Sequence, residues 1–150
     1  MNPLWTLIPH KGIENESLKI HLGMGRSSVK DLLAGEFRSP RSNVENEEDF
    51  QHPTDGTLIR LRYANSMVQD IEVLGGQLDY EGVAVFGGDA VWPDIEHFLK
   101  AQGVTIREAQ WLGEGYDCLE LSLNIATHEQ AGRDDDEGIE WVILSTLFTN

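Results

Sequence analysis

Only one cysteine, Cys118, occurs among the 150 residues, so the chain can form neither an internal disulfide nor a zinc site built from several thiolates. Basic residues are scarce too: Lys plus Arg number 11 against 26 Asp plus Glu, a formal balance of −15. Nucleic acid is bound mainly by neutralising its phosphates, and the best candidate patch, "FRSPRS", has only Arg38 and Arg41. Direct binding of nucleic acid or of an anionic membrane is therefore not expected. No apolar run approaches the ~20 residues that cross a bilayer, and the opening "MNPLWTLIPHKG" has no basic stretch followed by an apolar one. The expectation is a cytoplasmic protein.

Chemical motifs are missing as well. Gly23-Met24-Gly25 lacks the Gly-Lys-Ser or Gly-Lys-Thr of a phosphate-binding loop and the third glycine of a dinucleotide fingerprint. A bend that takes positive φ at a strand-to-helix corner explains these glycines better. No Gly-x-Ser-x-Gly elbow occurs. The five histidines (His10, His21, His52, His97, His128) are scattered without metal-ligand spacing, and His21 and His97, near the two corners, are expected to be partly buried and satisfied by backbone groups. Cys118 alternates with apolar neighbours as a small strand residue; a catalytic thiol would need a base beside it. No cofactor and no enzymatic activity are expected.

What is present is periodicity. Residues 18–22 alternate as a short strand, after which Ser27 or Ser28 offers an N-cap and Val29, Leu32 and Leu33 fall at helical spacing up to Gly35. Residues 36–56, polar with Pro40 and Pro53, read as one long loop. Segments 57–63 and 67–74 then alternate as a hairpin joined at residues 64–66. The pattern returns with a strand over 83–86, a Gly87-Gly88 corner, and a helix carrying Trp92, Ile95, Phe98 and Leu99 with Pro93 in its opening turn and Gly103 at its end. Strands follow over 104–112, 116–125 and 140–148. The expected fold is a single α+β domain over 1–150: an antiparallel sheet of about five to seven strands with two helices on one face, built from similar halves near 1–76 and 77–150.

The stretch "GIENESLKIHLGMGRSSVKDLLAG" resembles the opening motif of small bacterial immunity proteins encoded beside polymorphic toxins, and the half-domain of the beta-lactamase inhibitory protein fold. Gly23, Met24, Val29, Leu32, Leu33 and Gly35 carry the likeness, and Phe86-Gly87 with Ile95 to Leu99 match a second copy. The resemblance implies a non-catalytic protein that binds and neutralises a cognate toxin. Neither the signal peptide nor the disulfides of the secreted inhibitor are expected here. A basic toxin such as a nuclease suits the acidic balance, because a negative field mainly speeds encounter with a basic partner.

Two charge runs are candidates for that contact: Glu45, Glu47, Glu48 and Asp49 in the first long loop, and Asp134, Asp135, Asp136 and Glu137 between two glycines. Such runs are otherwise solvated tips, and the second lacks the ligand spacing of a calcium loop. Trp111 and Tyr116, flanking a Gly-rich turn, are the candidate aromatic anchors. The alternative class is a small-molecule or metal-binding protein using the concave sheet face. A monomer is expected, or a weak homodimer pairing through an edge strand such as 140–148.

Overall fold

The structure, a computed structural model, describes residues 4–39, 45–110, 114–133 and 136–148. Within them the chain is α+β, with two helices and two sheets. The smaller sheet holds five strands: β1 (Trp5–Ile8), β2 (Gly12–Glu14), β3 (Lys19–His21), β7 (Leu78–Tyr80) and β8 (Val83–Phe86), in the order β3-β2-β1-β7-β8. All its pairs are antiparallel except β1 with β7. The larger sheet is antiparallel throughout and holds seven: β4 (Glu47–Gln51), β5 (Leu58–Ala64), β6 (Met67–Gly75), β12 (Ile139–Ser145), β11 (Leu123–Thr127), β10 (Tyr116–Cys118) and β9 (Ile106–Glu108), in that spatial order. Helices α1 (Arg26–Leu33) and α2 (Trp92–Ala101) each follow a hairpin and precede a meander. No helix among the described residues is long and apolar enough to cross a membrane.

The element order thus runs twice, and the repeat extends to single backbone bonds. The first helical amide of α1, Arg26 N, donates to the Ser66 carbonyl at 2.8 Å, and that of α2, Trp92 N, donates to the Glu137 carbonyl at 2.9 Å. The residue before each helix bridges to the start of the last strand of the same meander, Gly25 with Met67 and Val91 with Gly138. These two meanders join where β6 and β12 pair in the middle of the large sheet, from Val73 opposite Val142 to Asp70 opposite Ser145.

Alternation in each strand sorts the side chains to two faces. Ile59, Leu61 and Tyr63 of β5 and Val142 and Leu144 of β12 point inward, where they join Val29 and Leu33 of α1, Ile95 and Leu99 of α2 and the buried residues of the small sheet in one hydrophobic cluster. The opposite face is polar. One row crosses all seven strands in register: Asp49, Arg60, Glu72, Ile143, Asn124, Asp117 and Arg107. Opposite charges meet along it, and Ile143 and Ala126 on this side stand outside the main core.

Several local expectations change. The segment 36–56 is not one loop, because β4 lies within it; Glu48 and Phe50 turn inward while Glu47 and Asp49 face Arg62 and Arg60 across the strand. The N-cap of α1 is Gly25 in extended conformation with no side-chain hydrogen bond, so neither Ser27 nor Ser28 serves as the cap. The expected strand over 116–125 is two strands. A single 3-10 turn at Leu119–Leu121, with Ser122 at φ 53°, reverses the chain between β10 and β11. Of the strand expected over 104–112, residues 104–110 hold only the short β9, and residues 111–112 lie outside the described residues. The β5–β6 turn consists of Asn65 and Ser66, both at positive φ (51° and 61°), as a two-residue hairpin with matching twist requires. Finally, β12 sits between β6 and β11, so the 140–148 segment offers no edge for homodimer pairing.

Candidate functional site

The glycine corners are stitched into the fold. Gly23 stands at φ 86° and donates its amide to the Val68 carbonyl at 2.8 Å; Met24 N donates to His21 O and Arg26 N to Ser66 O. Three amides that a bound phosphate would need are already engaged. Gly87, at φ 72°, packs so closely that a Cβ there would collide with the Gly76 carbonyl oxygen. Both corners therefore act as bends.

Cys118 is fully buried, and burial, reinforced by the charges of Asp117 and Glu120, pushes its thiol up to about 12. A thiol held protonated in the core is a packing residue, not a nucleophile. Four of the five histidines have hydrogen-bond partners, His10 reaching the Glu120 carbonyl at 2.8 Å. His21 Nε2 donates to the Glu14 carboxylate at 2.7 Å, and His52 Nδ1 accepts from the amides of Thr54 and Asp55. His21 is thus satisfied by a carboxylate, not by the backbone, and His97 is exposed. Among the described residues no three His, Cys, Asp or Glu side chains converge as a metal site.

The first acidic run does not form a free loop. Glu47 and Asp49 lie on the polar sheet face, where Arg60 bonds Asp49 at 2.8 and 3.2 Å and Glu47 meets Arg60 at 3.3 Å and Arg62 at 3.2 Å. Glu48 turns the other way, is buried, and holds Arg26 at 2.8 Å and Lys30 at 3.4 Å. The Arg26 guanidinium in turn lies 4.5 Å over the Tyr63 ring. Glu45 is exposed, with its carbonyl accepting from Arg26. Glu47, Glu48 and Asp49, the expected docking groups, all meet cations of the chain itself.

At the other end of the large sheet the charges are not matched. Tyr116 of β10 stacks on Trp92, the first residue of α2, with ring centroids 4.2 Å apart and planes 3° from parallel. Trp92 is buried and Tyr116 half-buried. Burial pushes the Tyr116 phenol up, and four carboxylates, Glu96, Glu108, Glu129 and Glu137, add to the shift. Lys100 reaches Glu96 at 3.2 Å, but exposed Glu108, Glu129 and Glu137 have no ion pair among the described residues. The other cations of this half face elsewhere: Arg107 meets Asp117 at 3.2 Å and Arg133 meets Glu140 at 2.9 Å. Residues 1–76 carry 11 carboxylates against 8 cations, a balance of −3, whereas residues 77–150 carry 15 against 3, a balance of −12. The charge excess belongs to one half.

Of the expected contact residues, Tyr116, Asp136 and Glu137 come to this end. Asp136 is exposed but fastens its loop: its Oδ1 accepts from Gly138 N at 2.9 Å and His128 Nδ1 at 2.7 Å, which hold its carboxyl below the usual range. Trp111, Asp134 and Asp135 lie outside the described residues. Strands β4 and β10 are five steps apart in the sheet, roughly 24 Å at ~4.8 Å each, so the first acidic run and Tyr116 do not form one compact site.

Sequence reasoning missed Glu96, Glu108 and Glu129, and took Trp92 only as a core residue. Glu96 lies one turn from Trp92 on α2, a spacing that could have been read; Glu108 and Glu129 arrive only through sheet pairing and the loop after β11. No family model, no curated protein and no solved structure matches this chain.

Proposed function

We propose that this protein is a non-catalytic immunity or inhibitor protein that binds a basic toxin, a nuclease being the fitting example, and neutralises it through the acidic end of its C-terminal half. The observation that carries this reading is Tyr116, a half-buried aromatic backed by Trp92 and subject to the charges of four carboxylates, three of which have no ion pair among the described residues. Aromatic residues in such settings supply the hot spots of protein interfaces, while uncompensated charge around them steers a partner of opposite sign. The resemblance of residues 12–35 to immunity proteins gives the partner its class. In this reading the protein acts in the cytoplasm, and its −12 half raises the association rate of a basic domain more than its final affinity.

Co-expression with the product of the adjacent gene tests the proposal. A complex that co-purifies and abolishes that product's toxicity is the expected result. If the neighbour is not toxic, or is toxic and neither co-purifies nor is silenced, the proposal fails. A metal or nucleotide that raised the melting temperature by several degrees would favour a ligand-binding protein instead.

A further inference from the structure

The large sheet ends in two strands, β4 and β9, and they are finished differently. At β4, the backbone groups of Gln51 that face away from β5 are both taken by Arg38, whose N donates to Gln51 O and whose O accepts from Gln51 N, each at 2.8 Å. At β9, the ladder to β10 fixes which groups are used. Leu119 N donates to Thr105 O at 3.0 Å and Ala109 N to Gly115 O at 3.1 Å, so the alternate residues Thr105, Arg107 and Ala109 turn toward β10. The N–H and C=O groups of Ile106 and Glu108 therefore point out of the sheet, and none of the four has a hydrogen-bond partner among the described residues.

An open edge is a template for pairing with another extended chain, and several of the devices that close such edges are missing from β9. It has no lysine, no proline and no bulge in its register with β10, and its one cation, Arg107, is occupied by Asp117 at 3.2 Å. The ladder bonds at Thr105 and Ala109 extend the paired run to five residues. The charges along this edge are negative. Glu108 is exposed on β9, and at the start of the strand the Glu120 carboxylate accepts from Thr105 N at 2.6 Å and from Thr105 Oγ1 at 2.8 Å. A second copy of this chain would bring a half at −12 against the same charges, so self-pairing is disfavoured.

We propose that β9 receives an extended basic segment of the partner as a further antiparallel strand, bonded through the backbone of Ile106 and Glu108. This inference rests on the reading of the protein as a binder of a basic partner, and it adds how that partner is held. Main-chain bonds supply affinity in such a complex, and alternate side chains supply the choice of partner. An antiparallel neighbour places one residue opposite Glu108 and the residue two places later opposite Ile106, both on the same face. Glu108 is exposed and Ile106 is half-buried against the core. A lysine or arginine followed two places later by a β-branched apolar residue matches that pair.

The probe is an octapeptide of two Lys-Thr-Val-Thr repeats, titrated calorimetrically at low salt into the full chain. Two N-methylated forms have equal charge and equal numbers of methyls, one methylated on the lysine and valine amides and the other on the threonine amides. Only the lysine and valine amides face β9 in the proposed register. The first form is therefore expected to bind about tenfold more weakly than the parent and the second within about twofold of it. In the protein, Glu108→Pro removes an outward N–H that the ladder to β10 does not use, while Glu108→Gln removes the charge alone. Losses of about tenfold and of about threefold or less are expected, respectively. With the peptide bound to the wild type, the amides of Ile106 and Glu108 are expected to exchange more slowly. A parent peptide that does not bind, equal losses for the two methylated forms, unchanged exchange at Ile106 and Glu108, or a folded Glu108→Pro that binds as Glu108→Gln does would each overturn the inference. The methylated pair needs only the wild-type protein, so it decides the matter even where Glu108→Pro does not fold. A toxin complex that forms and ignores a folded Glu108→Pro removes the strand site but leaves the proposed function standing. The expected peptide result with a neighbour that neither binds nor is silenced does the reverse.

Discussion

Trp92 lies flat on Tyr116 at 4.2 Å, and through that contact the start of α2 is fixed against β10 at the far end of the large sheet. The contact is both a core element and the floor of the acidic surface. Trp92→Ala removes a buried indole and is expected to lower unfolding stability by about 3–5 kcal/mol in denaturant titration. Trp92→Phe, which keeps an aromatic face, is expected to recover much of the loss. Because burial is the main cause of the raised Tyr116 phenol, its spectrophotometric titration should move back toward 10 in Trp92→Ala if that variant still folds.

Cys118 is expected to resist thiol reagents in the native protein at pH 8 and to react fully in denaturant. Its thiol stays protonated to about 12 and is sealed under the sheet. Rapid labelling of the native protein would contradict the buried placement.

Asn124 ties three strands together. Its amide donates to the Asp117 carboxylate at 3.1 Å and to the Glu114 carbonyl at 2.9 Å, and its oxygen accepts from Trp141 Nε1 at 2.8 Å. Asn124→Ala strands these groups in a site with no exposure, and a loss of about 1–3 kcal/mol is expected by chemical denaturation. Ser17→Ala, on an exposed turn, is the comparison that should change little.

The loop at 128–138 is expected to loosen in acid. The Asp136 carboxyl is held below its ordinary value of 3.8, first by the Gly138 amide and then by His128, so the folded state favours the ionised form. Its contribution is full above the unfolded value and is lost as pH falls through the lower folded one. Asp136→Asn should therefore reduce protection of the Gly138 amide from hydrogen exchange at pH 6. Wild type and variant should converge below the carboxylate range.

Much of the fold was legible because alternation and helical spacing coincide with burial. In 57–63 the sequence places Arg60 and Arg62 between Ile59, Leu61 and Tyr63, and those are the outward and inward residues of β5. Strand β4 escaped notice because its first three residues, outward Glu47 and Asp49 and inward Glu48, are all acidic, and the cations of the outward pair lie 15 and 11 residues away, at Arg62 and Arg60. Strands β1 and β2, of four and three residues, are too short for a period to register, and with them went the second sheet. Tyr116 was visible as an aromatic beside glycines. Glu96, Glu108 and Glu129 were not, since they come from α2, β9 and the segment after β11, which are far apart in sequence.

Hydrogen-exchange mapping of the complex with the adjacent gene's product tests the central claim most directly. New protection is expected in residues 114–118, 128–133 and 136–138 and at the start of α2, with the β4–β5 hairpin unchanged. Protection confined to β4 and β5, or to the small sheet, would contradict docking at the acidic end of the C-terminal half.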